Sequence, residues 1–292
     1  MNILYELTKR NVKIFLRDKS AVFFSFLSVI IIIGLYMLFL GDMQVQGIEQ
    51  EIGHVEGLKW LVNAWIMAGI IIVNTVTVTL GSLNTIIKDR ESNVIDDLFS
   101  SPIARYKIVL SYIFSSWIVS IFLTIITFII GEIFIINGGG HLLPVIDILK
   151  ALGIIFISVI SSSAMLFFFM TFIKTISALS VLSTIIGTLI GFLGGIYIPM
   201  GVLSTGVQNV IKLFPPAHAV TIMRQLFLEK PMAIAFDGAP AKFINEYKSM
   251  YGISMNAFGH ETTYLSMVMY LLLMAIVFYV LSAFRIKKMI KK

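Results

Sequence analysis

Cysteine is absent from all 292 residues, which excludes a disulfide framework, a thiolate metal site and a cysteine nucleophile. Charge is scarce as well: Asp, Glu, Lys and Arg make up 13% of the chain, against 58% hydrophobic residues. A water-soluble domain of this length could not bury so much apolar surface, so the chain belongs in a bilayer. The mean hydropathy of +0.95 agrees. No Gly-rich loop ending in Lys and Ser or Thr occurs, so ATP hydrolysis by this chain is not expected; the Gly138, Gly139, Gly140 run has no following lysine and reads as a turn. His54, His141, His218 and His260 are scattered, with no HExxH pair or tight ligand cluster, and no metal is expected. A nucleophile elbow is missing too, and this chain alone is not expected to be an enzyme.

What the sequence does hold is a series of apolar runs long enough to cross hydrocarbon, which takes about 20 residues each. They lie at residues 21–40, 61–87, 108–136, 149–173, 176–199 and 264–284. The predicted fold is an all-α membrane protein of one domain with six transmembrane helices. The excess positive charge sits beside these runs, where membrane orientation explains it better than nucleic-acid binding. Lys9, Arg10, Lys13, Arg17 and Lys19 precede the first run; Arg285, Lys287, Lys288, Lys291 and Lys292 follow the last; Lys88, Arg90, Arg105 and Lys107 lie between the second and third. These put both termini in the cytoplasm. Residues 41–60 form an outer loop, and Lys174 marks a tight turn between runs four and five. The N-terminus lacks a small-residue cleavage site, so the first span is expected to stay.

Three segments are not spans. Residues 1–20 place Ile3, Leu4, Leu7, Val12, Phe15 and Leu16 among basic residues, which fits either an amphipathic interfacial helix or a solvated basic tail that sets topology. Residues 88–101 set Val94, Ile95, Leu98 and Phe99 on one helical face opposite Asp89, Arg90, Glu91, Asp96 and Asp97. That pattern suits a contact for a soluble partner or an ordinary interfacial connector. Residues 200–229 hold apolar stretches too short and Pro-broken to span, and read as a partly inserted re-entrant segment at the outer face.

Taken together these elements resemble the permease subunits of type-2 ABC exporters. The resemblance rests on Arg90, Glu91, Asp96, Asp97, Leu98, Ser101, Pro102, Ile103 and Arg105 after the second span, and on Gly191, Gly194, Gly195, Pro199, Pro215 and Pro216 around the end of the fifth. It covers nearly the whole chain and is least recognisable at 41–60 and 230–263. It implies an exporter of the bacterial drug or antimicrobial-resistance type, with ATP and Mg bound in a separate ATPase present in two copies. It also implies that residues 88–101 are the helix docking on that ATPase, through Arg90, Glu91, Val94, Ile95, Asp97, Leu98 and Phe99.

Two stripes stand out within the spans. Asn74, Thr77, Gly81, Asn84 and Lys88 share a face of span two, and Ser177, Ser180, Thr184, Gly187, Gly191 and Gly194 share a face of span five. Polar groups at membrane depth must face protein or water, and Gly187 to Gly191 is a GxxxG that allows close helix approach. The resemblance implies that these faces border a transport route where two permeases meet; packing within one subunit is the alternative. Pro199, Pro215 and Pro216 belong to the outer segment that would gate the route. Glu132 is the carboxylate well inside a span, fitted either to a substrate or proton role or to a hydrogen bond near the outer interface.

The functional expectation is a permease, paired with a second permease, that moves a lipophilic or amphipathic substrate (drug, antimicrobial peptide or lipid) outward across the cell membrane. A gradient-driven transporter would call for an inverted repeat and broken helices, and an intramembrane enzyme for convergent catalytic groups at membrane depth; neither pattern is found. Nucleic acid is not an expected partner.

Overall fold

In hydrocarbon every backbone N–H and C=O must be paired within the protein, so apolar runs of this length fold as helices. The computed structural model describes residues 3–53, 55–196, 198–257 and 260–290. His54, Lys291 and Lys292 lie outside the described residues, as do the side chains of His260, Lys287 and Lys288. The chain runs through α1 (Ile3–Arg17), α2 (Lys19–Leu35), a π-helical turn at Tyr36–Leu40, α3 (Gly41–Ile52), α4 (Leu58–Glu91), α5 (Val94–Ser100) and α6 (Arg105–Asn137). It continues through α7 (Val145–Met170), α8 (Ile176–Leu193), a 3-10 turn at Met200–Val202, α9 (Thr205–Ile211), α10 (Pro215–Ala235), α11 (Ala241–Met250) and α12 (Tyr264–Ile290). A two-residue antiparallel pair, β1 (Asn256–Ala257) with β2 (His260–Glu261), precedes α12.

Among the described residues, five helices are long and apolar enough to cross a membrane: Lys19–Gln50, Leu58–Glu91, Arg105–Asn137, Val145–Met170 and Tyr264–Ile286. The segment Ile176–Phe192 is apolar but shorter. The first of these corrects an expectation. Residues 41–60 are not a loop, because the helix continues through the π turn to Ile52 and the connection to α4 is confined to residues 53–57. Hydropathy runs out at Leu40, but Met43, Gln44, Gln46 and Glu49 still suit a helix. The π turn depends on Gly41: its N–H reaches the Tyr36 carbonyl, and a Cβ there would lie 2.6 Å from that oxygen.

α4 is the central element and is buried along most of its length, packed by α6, α7, α8 and α10. Its 34 residues reach about 50 Å at roughly 1.5 Å per residue, well beyond a hydrocarbon core of about 30 Å. Small polar side chains seal its seams. Asn74 Nδ2 donates to Thr127 Oγ1 at 2.7 Å and Thr79 Oγ1 to Ser120 Oγ at 2.9 Å, both on α6, while Thr75 and Ser158 of α7 share a 2.9 Å bond. Ser116 and Ser163 join α6 to α7 at 3.0 Å. Short hydroxyls let helix backbones approach closely and pair across these seams.

Residues 200–229 fold as the 3-10 turn, α9 and most of α10, and none of these is among the helices long and apolar enough to cross a membrane. Pro215 and Pro216 are buried at the first turn of α10, where a missing N–H costs nothing, and the helix then runs 21 residues, with Pro231 tolerated in its last turns. α10 packs against α4, α7 and α12. Pro199 caps the 3-10 turn and is half-buried.

Candidate functional site

At the end of the bundle where α1, α4, α5 and α6 meet, charged side chains build a latch. Arg10 donates to Asp89 Oδ2 at 2.7 Å and Oδ1 at 3.0 Å, and Tyr112 donates its hydroxyl to Asp89 Oδ2 at 2.6 Å. Asn11 Nδ2 donates to Ser111 Oγ at 3.2 Å. The bond to Asp89 raises the Arg10 guanidinium further above its already high range. Asp18 caps α2 by accepting from the Ala21 N–H at 3.0 Å and also meets Lys88 Nζ at 3.2 Å; the Ala21 bond, then Lys88, hold its carboxyl below the ordinary range. α1 is therefore a helix anchored to the bundle.

The connector after α4 is narrower than residues 88–101. Lys88 to Glu91 belong to α4, and the chain reverses at Asn93, whose φ of 61° is a left-handed conformation that asparagine tolerates. α5 then spans Val94–Ser100, with Ile95 buried, Val94, Leu98 and Phe99 half-buried, and Asp96, Asp97 and Ser100 exposed. The amphipathic face is as read from the sequence, but three of the residues assigned to its polar side do other work. Asp89 is buried in the latch. Arg90 Nη1 donates to the Ile173 carbonyl, and Glu91 Oε1 accepts from the Ile176 N–H at 3.5 Å, so both brace the connection between α7 and α8. The Arg105 guanidinium lies over the Phe99 ring at 5.7 Å and ties α5 to the start of α6.

The span-two stripe divides. Asn74 turns into the α6 seam, whereas Thr77, Gly81, Asn84 and Lys88 line a recess of about 250 Å³ with Phe15, Asp18, Ser25 and Ser183. The span-five stripe divides at Gly191. Gly191 and Gly194 are buried, and a Cβ on Gly194 would come within 2.9 Å of Val73 Cγ2. Ser180, Thr184 and Gly187 are exposed; the two hydroxyls return to the Ile176 and Ser180 carbonyls at 3.0 Å, and nothing lies within 4 Å of a Cβ on Gly187. The Gly187 to Gly191 motif thus does not pack as a unit inside this chain.

At the opposite end of the bundle the guanidinium of Arg224 ties together the chain after α8 and the chain after α11. Arg224 of α10 is 2% exposed. It donates to the carbonyls of Tyr251 at 3.0 Å, Gly194 at 3.1 Å and Gly195 at 3.0 Å, and lies 4.3 Å from the centre of the Trp65 ring. Trp65 Nε1 donates to the same Tyr251 carbonyl at 2.7 Å, and the Tyr36 hydroxyl to the Ile196 carbonyl at 2.8 Å. Gly195 takes φ of 59°, and a Cβ there would sit 3.2 Å from Arg224 Nη1, so the clamp requires glycine.

The profile of the family described as ABC-2 family transporter protein matches residues 56–284. The chain belongs to the ABC-2 transporter family. No curated protein gives a significant match. As an ABC-2 membrane domain, the chain is a multi-pass membrane transport component.

Within this ABC-2 domain, Glu132 is structural in its first contact: Oε2 accepts from the Leu143 N–H at 3.1 Å and fixes the loop after α6. Its buried Oε1 has no protein partner among the described residues, and Glu132 lines a polar cavity of about 250 Å³ together with Asp147, Lys150, Glu229 and Lys230. His141 packs edge-on to Trp60 at 5.1 Å, and His218 against Tyr270 at 4.2 Å. Sequence reasoning missed Arg224, although a lone arginine in the apolar stretch TIMRQLFL is a signal in its own right. It also missed the pairing of Arg10 with Asp89, which no local pattern encodes.

Proposed function

We propose that this chain is the permease of an ABC exporter and that α5 is the element that transmits nucleotide-driven motion from a separate ATPase. The observation that carries the reading is the setting of α5. Its seven residues turn Asp96, Asp97 and Ser100 outward, and the last turn of α4 immediately before it is fixed to α1, α6 and the α7–α8 connector by ion pairs and hydrogen bonds. A push on so short and well-anchored a helix moves the helices behind it instead of dissipating in a loop. Asp97, Leu98 and Val94 meet the ATPase; Ile95 and Phe99 hold α5 to the bundle; Arg90 and Glu91 pass the displacement to α8.

In this reading α2, α4, α6, α7, α8 and α12 are six spans, both termini and α5 are cytoplasmic, and α10 is a re-entrant element at the outer side of a cell membrane; the basic residues flanking α1 and α12 support it. Two such permeases, alike or homologous, and two ATPase copies holding ATP and Mg make the working unit. The exposed Ser180, Thr184 and Gly187 of α8 and the recess at Thr77, Gly81 and Asn84 border the route between the permeases. The apolar surroundings suit a lipophilic or amphipathic substrate of the drug, antimicrobial-peptide or lipid kind, as in bacterial resistance exporters. The segment from Pro199 to Pro216, which follows the Gly194 and Gly195 carbonyls bound by Arg224, gates the outer side.

Co-purification tests the assignment of α5. The native chain is expected to retain its cognate ATPase from detergent extracts and Asp97→Lys to lose it while inserting at normal levels. Equal retention by both would remove α5 from the docking role.

A further inference from the structure

A cleft distinct from the recess opens between α5, α6, α7 and α12, in two continuous parts. The inner part is a cavity of about 650 Å³ whose walls include Leu110, Phe114, Trp117, Phe167, Tyr279 and Ala283. Its indole N–H is already spent, since Trp117 Nε1 donates to the Tyr279 hydroxyl at 3.0 Å. The space therefore suits hydrocarbon. The outer part, sharing Phe99, Arg105, Val109, Phe167 and Ile286 with the first, is bordered by the cations Arg90, Arg105 and Lys174 and by the carboxylate of Asp96. Arg105 and Lys174 are exposed and form no ion pair among the described residues.

An apolar shaft that ends in unpaired cations at the level where α6 begins is complementary to an aliphatic chain joined to an anion. We infer that the cleft binds an anionic glycerophospholipid, with an acyl chain between α6 and α12 and the phosphate at Arg105 and Lys174. Juxtamembrane Lys and Arg residues attract anionic headgroups in this manner. The occupant is a resident lipid and not transported cargo, because the shaft shares no helix with the recess at Thr77, Gly81 and Asn84, and the mouth, which reaches α4 at Ile86 and Arg90, shares no lining residue with it. Its location in the inner leaflet rests on the orientation proposed above. Since Ile95, Asp96 and Phe99 of α5 line the mouth, the lipid packs directly behind the proposed docking helix and helps to hold it in place.

The test uses the full chain in nanodiscs with diazirine-tailed phosphatidylglycerol or phosphatidylcholine, photolysis, and mapping of the labelled peptides by mass spectrometry. Phosphatidylglycerol is expected to label residues 106–117 and 279–286, with a preference over phosphatidylcholine of roughly thirty-fold from two headgroup-facing cations. Arg105→Gln with Lys174→Gln should abolish the preference, and Ala283→Trp, at an exposed position that lines the shaft, should remove the label for both lipids. Label absent from these peptides in the native chain, equal labelling by the two lipids, or label that survives Ala283→Trp would each overturn the assignment. The readout needs neither nucleotide nor ATPase, so its failure and failure of the exporter reading are separate results.

Discussion

Arg10, on the helix before the first span, and Asp89, near the end of the second, are joined by two hydrogen bonds of 2.7 and 3.0 Å. Tyr112 completes the site by donating to the same carboxylate. The amphipathic N-terminal helix is thereby latched to the last turn of α4, immediately before the reversal into α5, so its position and that of α5 are set together.

Arg10→Ala should destabilise the chain by about 1.5–3 kcal/mol, the range for hydrogen bonds to charged groups, and toward the low end because the Arg10 side chain is 34% exposed. Asp89→Asn weakens the same contacts. Thermal unfolding in nanodiscs of both single variants and the double variant measures the coupling: the double variant should lose clearly less than the sum of the singles. Additive losses would mean that the two residues act independently.

Arg224 should be intolerant even of lysine. Its fork serves three carbonyls and stacks on an indole, and an ammonium cannot reproduce that planar geometry. Arg224→Ala leaves buried acceptors without donors and should cost about 3 kcal/mol or more; Arg224→Lys should recover only a minor share. Limited proteolysis of residues 194–201 and 251–256, which the clamp holds, reports the loosening directly. Wild-type protection in Arg224→Lys would show that charge alone suffices.

Glu132→Gln should leave stability unchanged or raise it by about 1 kcal/mol, because the amide keeps an acceptor for the Leu143 N–H and removes a buried charge with one unpaired oxygen. Glu132→Leu should lower it, since the Leu143 N–H then loses its partner. Melting temperatures of the three proteins decide between this account and one in which the negative charge itself is required for folding.

Asp18 supplies a pH dependence. Its carboxyl is held below the ordinary range by the Ala21 N–H and Lys88, so its contribution is present above the unfolded-state pKa, about 4, and is lost as pH falls through the lower folded value. Asn can still cap α2 but cannot pair with Lys88. The native chain should therefore melt slightly higher than Asp18→Asn at pH 7, and the difference should shrink as the pH falls below about 4. A difference that persists or grows in acid would reverse the sign of the argument.

Much of this architecture is legible in the chain because lipid imposes one rule on every span. Five long apolar helices follow from hydropathy alone, and the face of α5 follows from Val94, Ile95, Leu98 and Phe99. What escapes is structure that depends on geometry between distant positions or on helix propensity without hydropathy. α3 carries a helix past Leu40 on Gln44, Gln46 and Glu49, which no apolar pattern marks. The boundary between α4 and α5 is set by one left-handed asparagine, so Arg90 and Glu91 fall on the brace to Ile173 and Ile176 and not on α5. The span-two stripe divides because its members occupy an arc wide enough to meet α6 at Asn74 and the recess at Asn84.

The central claim is that α5 passes work between an ATPase and the membrane helices. Its most direct test is ATP turnover by the reconstituted complex in lipid, native chain against Asp97→Lys with Leu98→Asp, alongside the rate with ATPase alone. The account predicts that the native permease changes turnover relative to the free ATPase and that the double variant returns it to the free value while its melting temperature holds. Turnover that is the same with native permease, variant permease and no permease would contradict it.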